Sequence, residues 1–168
     1  GLPLAEFLFQ TGDAERAESV LLSVLRQDQS NVEAYRSLGQ VRIANQDWAG
    51  AEEVAKALRQ LKDDEALISQ IEGVALEGLN RIEDSIAAFE RAQSAEPNAV
   101  RPLVSLVASY LRNNEVERAE SFLESVLSSS ENNLIAQVEL ARVYAISDRW
   151  EESEKLLDEA IRTNPKES

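Results

Sequence analysis

The chain has 168 residues, of which 43% are hydrophobic and 29% charged, a composition typical of a folded protein rather than a disordered one. Its net charge of −14 disfavours a nucleic-acid-binding role, and it contains no run of apolar residues long enough to cross a membrane. Cysteine and histidine are both absent, which excludes disulfides, thiol nucleophiles and imidazole chemistry.

The chain repeats itself at a fixed interval. Residues 16–25 read RAESVLLSVL and residues 118–127 read RAESFLESVL, so eight of ten letters agree at a separation of 102 positions, three times 34. Small residues follow the same 34-residue interval, at Ala17, Ala51, Ser85, Ala119 and Ser153. A fixed period of this length is the signature of stacked repeats. The repeats are residues 1–31, which form a shortened first copy, and then 32–65, 66–99, 100–133 and 134–167.

Each repeat is predicted to form two helices, because apolar residues recur at three- and four-residue steps in both of its halves. The first helices are expected at residues 2–11, 32–45, 66–79, 100–113 and 134–147. The second helices are expected at residues 13–27, 47–60, 81–95, 115–129 and 149–162. The sequence therefore predicts an all-α protein with a single domain of stacked helical pairs over residues 1–168.

The turns inside the repeats carry polar residues. Asn80, Asn114 and Asp148 directly precede three of the predicted second helices, and each has a glutamate three positions further on. This is the spacing of a capping box, in which the first side chain accepts a hydrogen bond from an unpaired backbone N–H at the start of the helix. Each such cap is worth about 1 kcal/mol.

The third helical pair departs from the pattern. Its first helix contains Gly73 and Gly78, and each glycine inside a helix costs about 1 kcal/mol relative to alanine. Glu72 replaces an apolar residue of the repeat. We expect this pair to be the least stable part of the array, through either natural divergence or a deliberate hinge.

These positions resemble the tetratricopeptide repeat family. The family places a small residue at repeat position 8, tyrosine at 11, a small residue at 20 and proline at 32. Here position 8 is Ala5, Gly39, Gly73, Val107 and Ala141, position 11 includes Tyr110 and Tyr144, and position 32 includes Pro97 and Pro165. Arg42 occupies position 11 of the second repeat, where the family has tyrosine. The resemblance covers essentially the whole chain and implies a right-handed α-solenoid.

The resemblance also implies a binding surface, since the first helices of this family line a concave groove. The corresponding candidate residues of this chain are Arg36, Gln40, Leu67, Val74, Arg101, Val104, Ala108, Leu111, Arg112, Ile135, Val138 and Arg142. The groove is therefore expected to be mostly apolar with interspersed arginines, while the acidic residues lie mainly on the second helices. Neither the lysines nor the asparagines that hold C-terminal carboxylates in some members occur at the matching positions.

The expected partner is a protein or peptide segment with acidic groups and apolar anchors, bound by a non-catalytic scaffold. The alternative is that neighbouring repeats or a second copy cover the groove. Acidic pairs at helical spacing are usually a solvated face, so we predict no catalytic residues, no cofactor and no metal site. Trp48 and Trp150 share a repeat position and are expected to pack against the adjacent helical pair rather than to stack on a ligand.

The ends of the chain suggest a segment of a longer protein. It begins Gly1–Leu2–Pro3 and contains no methionine. Terminal repeats normally need a polar cap, so we expect Leu156, Ala160 and Ile161 to be partly exposed and to allow weak end-to-end self-association. The degenerate repeats also look like those of bacterial envelope proteins that support polysaccharide export and protein sorting. That similarity makes an assembly scaffold the alternative function, and it slightly favours the periplasm or cell envelope over the cytoplasm.

Overall fold

The computed structural model describes residues 1–163, which form ten α-helices. The helices are Leu2–Gln10 (α1), Ala14–Gln27 (α2), Val32–Ala44 (α3), Trp48–Gln60 (α4), Glu65–Gly78 (α5), Ile82–Ala95 (α6), Val100–Arg112 (α7), Val116–Ser129 (α8), Leu134–Ile146 (α9) and Trp150–Thr163 (α10). Every predicted helix is present, with bounds within one residue of the prediction. Pro165 and the predicted end of the last repeat lie outside the described residues. Within the described part, no helix is both long and apolar enough to span a membrane.

The helices belong to two compact lobes. The N-terminal lobe is Gly1–Pro97 and contains α1 to α6; the C-terminal lobe is Asn98–Ser168, described to residue 163, and contains α7 to α10. In each lobe, consecutive helices pack against one another, and each first helix also contacts the next first helix: α1 with α3, α3 with α5, and α7 with α9. This packing of helical pairs confirms the all-α solenoid.

The small residues of the 34-residue period lie where the helices of a pair approach each other. Ala17, Ala51, Ser85 and Ala119 are fully buried, and Ser153 is nearly so. The Oγ of Ser153 donates a hydrogen bond of 2.8 Å to the backbone carbonyl of Ala141, which joins α10 to α9. A larger side chain would separate the helices, so the period records a packing requirement.

The predicted capping boxes are wrong at the first residue. Asn80, Asn114 and Asp148 have φ angles of 59°, 61° and 60°, in the left-handed region. They close the preceding helix: the N–H groups of Asn80 and Arg81 donate to the carbonyls of Glu77 and Leu76. This is the hydrogen-bond pattern of a helix end with one left-handed residue, and asparagine and aspartate tolerate that conformation better than most residues.

The N-caps therefore fall one residue later than predicted in two of these turns. Arg81 and Glu115 are the N-cap residues of α6 and α8, and within the described residues neither helix has a side-chain capping hydrogen bond. Side-chain caps occur elsewhere, on α2, α3, α4, α5 and α9. The capping residues are Asp13, Asn31, Asp47, Asp64 and Asn133, each accepting a hydrogen bond from the backbone N–H three residues later.

The glycines of α5 are sites of close packing. A Cβ atom at residue 73 would lie 2.5 Å from Cε1 of the buried Phe89 on α6. A Cβ atom at residue 78 would lie 2.1 Å from Cδ2 of Trp48 on α4. Both glycines allow neighbouring aromatic rings to reach the helix backbone. This packing removes the reason for treating them as defects that weaken the third helical pair.

Two charged residues at apolar positions of the repeat are held by ion pairs. Glu72 on α5 accepts hydrogen bonds from Arg59 at 2.9 Å and from Arg91 at 2.6 Å, and its side chain is only 15% exposed. Arg42 on α3 binds Glu18 of α2 at 3.0 Å and donates to the carbonyl of Gly50 on α4 at 2.9 Å. Both residues thus connect three helices each, in place of the apolar contact that the family pattern predicts.

Candidate protein-binding face

The candidate residues of the groove lie on the first helices of both lobes. In the N-terminal lobe α3 carries Arg36 and Gln40, and the adjacent α5 carries Leu67 and Val74. In the C-terminal lobe they lie on the adjacent α7 and α9. These are Arg101, Val104, Ala108, Leu111 and Arg112 on α7, and Ile135, Val138 and Arg142 on α9. The structure thus brings together four of the twelve in one lobe and eight in the other.

All twelve candidates are half-buried or exposed, and none belongs to the core. The core is built from neighbouring positions of the same helices. On α3, Leu38 is 2% exposed while Gln40 is open to solvent; on α7, Leu106 is 1% exposed while the nearby Val104 is half-buried. Each first helix therefore has two faces: one is buried and packs the core of its lobe, and the other carries the candidate residues at the surface.

In the C-terminal lobe this surface carries four large apolar side chains that lie outside the buried core. Val104, Leu111 and Ile135 are half-buried, and Val138 is 43% exposed. Because α7 and α9 contact each other, their apolar side chains lie on two neighbouring helices of one surface. Contiguous exposed apolar residues on a folded protein usually mark a contact site.

Two of the four candidate arginines, Arg36 and Arg142, bind carboxylates of the chain, and Arg112 also interacts with another group. The guanidinium of Arg36 binds both carboxylate oxygens of Asp63, with the Nε to Oδ2 distance at 2.8 Å. These hydrogen bonds hold the pKa of Asp63 below its ordinary value and raise the pKa of Arg36. Arg142 binds Glu139 on its own helix. The charge of this face is therefore lower than a count of its arginines suggests.

Arg101 differs from these two arginines. It is exposed on the first turn of α7, and no ion pair of Arg101 is present among residues 1–163. An anionic group can approach this guanidinium without displacing an internal carboxylate. Among the candidate cations it is the one with the clearest capacity for a ligand.

Sequence reasoning missed the carboxylates that neutralise this face. Glu139 lies three residues before Arg142, a helical spacing at which opposite charges meet, so the sequence carried a usable signal. Asp63 lies 27 residues after Arg36, beyond any local pattern. The adjacent acidic residues Asp63 and Asp64 have structural roles, since Asp63 binds Arg36 and Asp64 caps α5. Within residues 1–163, no group of three acidic residues is arranged to hold a metal ion.

The two tryptophans have different environments. Trp48 is half-buried and packs against Gly78 of the following helical pair, as predicted. Trp150 is 63% exposed, so the prediction that it packs against an adjacent pair is wrong within the described residues. The predicted partial exposure at the same end is confirmed for Ile161, which is 57% exposed, and for Leu156, which is half-buried, but it is wrong for Ala160, which is only 2% exposed.

Comparison with known proteins gives one consistent family. A family model described as tetratricopeptide repeat matches residues 2–66 and 72–133, and a second model with the same description matches residues 110–168. No curated protein sequence matches the chain at a significant level.

Solved structures share the fold at low sequence identity. The crystal structure of MamA is 21% identical, with a TM-score of 0.77 over 97% of this chain and 95% of that one. YrrB, described as a TPR protein with an unusual peptide-binding site, is 19% identical, with a TM-score of 0.68 over 98% and 85%. PilW, described as a widely conserved type IV pilus biogenesis factor, is 21% identical, with a TM-score of 0.73 over 96% and 75%.

Proposed function

We propose that this chain, which belongs to the tetratricopeptide repeat family, binds a segment of another protein along the first helices of its C-terminal lobe, α7 and α9. Proteins of this family bind proteins or peptides and are generally non-catalytic scaffolds. The observation that carries the proposal is the stripe of apolar residues on α7 and α9 that the core does not use.

The chemistry of that stripe indicates the class of ligand. Val104, Leu111 and Ile135 offer contact area to apolar side chains, worth about 25 cal/mol for each Å² removed from water. Arg101 offers a cation beside them. The preferred ligand is therefore an acidic segment with apolar anchors, in which the anchors supply affinity and the acidic groups set orientation and association rate.

The distribution of charge also favours binding of an acidic ligand to the first helices. Exposed acids such as Glu53 and Glu124 lie on second helices, and the chain as a whole carries −14. An acidic ligand is repelled by these surfaces and approaches best where arginines are exposed. Salt should slow its association without abolishing binding, because the apolar contacts are not screened.

Fluorescence anisotropy with two labelled peptides tests this proposal. One peptide alternates leucine with glutamate, and the other has lysine in place of every glutamate. We expect the glutamate peptide to bind more tightly, and Arg101→Glu to weaken its binding severalfold. Glu124→Lys, an exposed charge reversal on α8, is the matched control and should leave binding unchanged. Equal binding of both peptides, or loss of binding only with Glu124→Lys, would reject the assignment.

The second candidate function is an assembly scaffold of the bacterial envelope. It is supported by the exposed apolar side chains of Trp150 and Ile161 on α10. A scaffold of this kind works through repeated contacts with other subunits rather than through a single bound segment. Fractionation of cells that produce the full-length protein tests the location, and recovery in the cytoplasmic fraction alone would contradict the envelope role.

A further inference from the structure

The N-terminal lobe contains a pocket of about 470 Å³ that is lined by residues of α2, α3 and α4, here called the α3 pocket. Leu25, Leu38 and Val54 form its floor and are at most 8% exposed, and the half-buried Leu22 and Ala57 also line it. None of the twelve candidate residues of the protein-binding face lines this pocket. Its volume and its mainly apolar lining are typical of sites that hold small molecules.

The next junction of the same lobe shows why this space is open. The corresponding residues 34 positions later are charged and bind one another. They are Arg59, Glu72 and Arg91, the counterparts of Leu25, Leu38 and Ala57. Glu72 on α5 accepts hydrogen bonds from Arg59 on α4 at 2.9 Å and from Arg91 on α6 at 2.6 Å, so long side chains bridge the three helices there. The α3 pocket exists because apolar residues and a single methyl group replace this ion-paired cluster.

One end of the α3 pocket carries three side chains with hydrogen-bond donors. Arg26 lies in the last turn of α2, Gln29 follows that helix, and Tyr35 lies near the start of α3. Among residues 1–163, none of these three side chains makes a hydrogen bond or an ion pair. A guanidinium, an amide and a phenol can each donate to an oxygen, and the guanidinium binds a carboxylate most strongly.

The positive charge at the other end is already compensated. Arg42 binds Glu18 at 3.0 Å, lies 3.7 Å from Glu53, and donates to the carbonyl of Gly50. Tyr35 and Arg42 are seven residues apart on α3, which corresponds to about 10 Å along the helix. The pocket thus has a cationic end with free donors, an apolar middle and an opposite end whose charges are paired.

We propose that the α3 pocket binds a small carboxylate with an apolar body about 10 Å long, at a site separate from the protein-binding face. The carboxylate lies at Arg26, with Gln29 and Tyr35 as further donors, and the apolar body lies on Leu25 and Leu38. A simple inorganic anion would leave the apolar floor uncovered, and a hydrocarbon would leave the donors at Arg26 without an acceptor. A ligand with both parts satisfies both ends of the site.

Methyl NMR titrations of the 168-residue chain with three probes test the proposal. Phenylbutanoate has both the carboxylate and the apolar body, phenylbutanol has only the body, and acetate has only the charge. We expect phenylbutanoate to shift the methyl signals of Leu22, Leu25 and Val54 saturably, phenylbutanol to bind about tenfold more weakly, and acetate to show no saturation. Equal affinity for the alcohol and the acid would overturn the role of Arg26, and shifts centred on Val138 instead would overturn the location.

Two variants with matched controls test the site directly. Ala57→Arg places in the pocket the side chain that Arg91 has at the next junction, and should abolish saturable binding. Arg26→Gln, at an exposed position, should weaken phenylbutanoate about tenfold and remove its advantage over phenylbutanol. Ala49→Arg on α4 and Arg16→Gln on α2 are the controls, since both residues are exposed and line no part of the pocket.

Both controls should bind phenylbutanoate as the unmodified chain does, and circular dichroism should show that all four variants are folded. Unchanged binding by the Arg26→Gln variant would overturn the proposal even if the Ala57→Arg variant failed to fold. A loss of equal size in a control and in its pocket variant would also overturn it. The acidic-peptide experiment probes α7 and α9, so its outcome is independent of this one.

Discussion

The indole ring of Trp48 on α4 lies against the backbone of Gly78 on α5, so closely that a Cβ atom at residue 78 would be 2.1 Å from Cδ2 of the ring. Helical pairs two and three are joined at this contact. Residue 78 is therefore subject to two opposing effects, the poor helix propensity of glycine and the space that the indole occupies.

Gly78→Ala tests which effect is larger. Helix propensity alone predicts a gain of up to about 1 kcal/mol. The displaced indole predicts a loss of about 1–3 kcal/mol, typical of an overfilled contact. We expect the loss to dominate in urea unfolding. In a Trp48→Ala background the same change should become stabilising, because the ring is gone; a loss of equal size in both backgrounds would contradict the role of Trp48.

Gly73→Ala should be destabilising as well, and for a clearer reason. Its Cβ atom would lie 2.5 Å from Cε1 of Phe89, a ring that is 1% exposed and has no room to move. We expect a loss of about 1–3 kcal/mol in the free energy of unfolding. Gly39→Ala is the matched control at the same repeat position, because its Cβ atom would meet the flexible Cδ1 of Ile71 at 3.1 Å. Equal losses at the two glycines would contradict the explanation.

Substitutions of Asn80 distinguish two interpretations of its turn, in which Asn80 is either the N-cap of α6 or a left-handed residue that ends α5. An N-cap asparagine can be replaced by serine with little change, since serine caps equally well. A left-handed residue is best replaced by glycine, because other side chains cost about 1–2 kcal/mol in that conformation. With φ at 59°, we expect thermal unfolding to show Asn80→Gly as neutral or stabilising and Asn80→Ser as destabilising. The reverse order of stability would support the interpretation of Asn80 as the first residue of a capping box.

The ion pairs of Glu72 should make stability depend on pH. Burial raises the pKa of Glu72, but hydrogen bonds from Arg59 and Arg91 outweigh burial and leave the pKa below its ordinary value of 4.5. The charged carboxylate therefore stabilises the fold above that pH, and this contribution is lost as the pH falls through the folded-state pKa.

Glu72→Gln should accordingly lower the free energy of unfolding at neutral pH, by on the order of 1 kcal/mol. The difference from the unmodified chain should shrink as the pH is lowered below 4.5. Urea unfolding at a series of pH values measures it. Glu124→Gln, at an exposed site on α8, should show no such dependence. A difference that stays constant with pH would mean that the variant acts through packing rather than charge.

The sequence by itself determined the repeat register and, through it, all ten helices of residues 1–163. Apolar periodicity is a local property, since residues three and four apart share a helix face whatever that helix later contacts. The small residues Ala17 and Ala119 were found in the same way, because the close approach of two helices recurs at every repeat. The twelve candidate residues followed from the register combined with the family resemblance, and in the structure all of them are half-buried or exposed.

Only the tertiary structure decided which side chains meet across helices. Arg36 and Asp63 are 27 residues apart, and Trp48 and Gly78 are 30 apart, so neither contact leaves a trace in any local pattern. Gly78 would destabilise an isolated helix, but in the folded protein its lack of a side chain leaves room for the indole ring of Trp48. Trp48 and Trp150 occupy one repeat position yet differ in exposure, because within residues 1–163 only Trp48 has a helical pair after its own. Contacts of this kind depend on how helices stack, which the periodicity of a single helix does not specify.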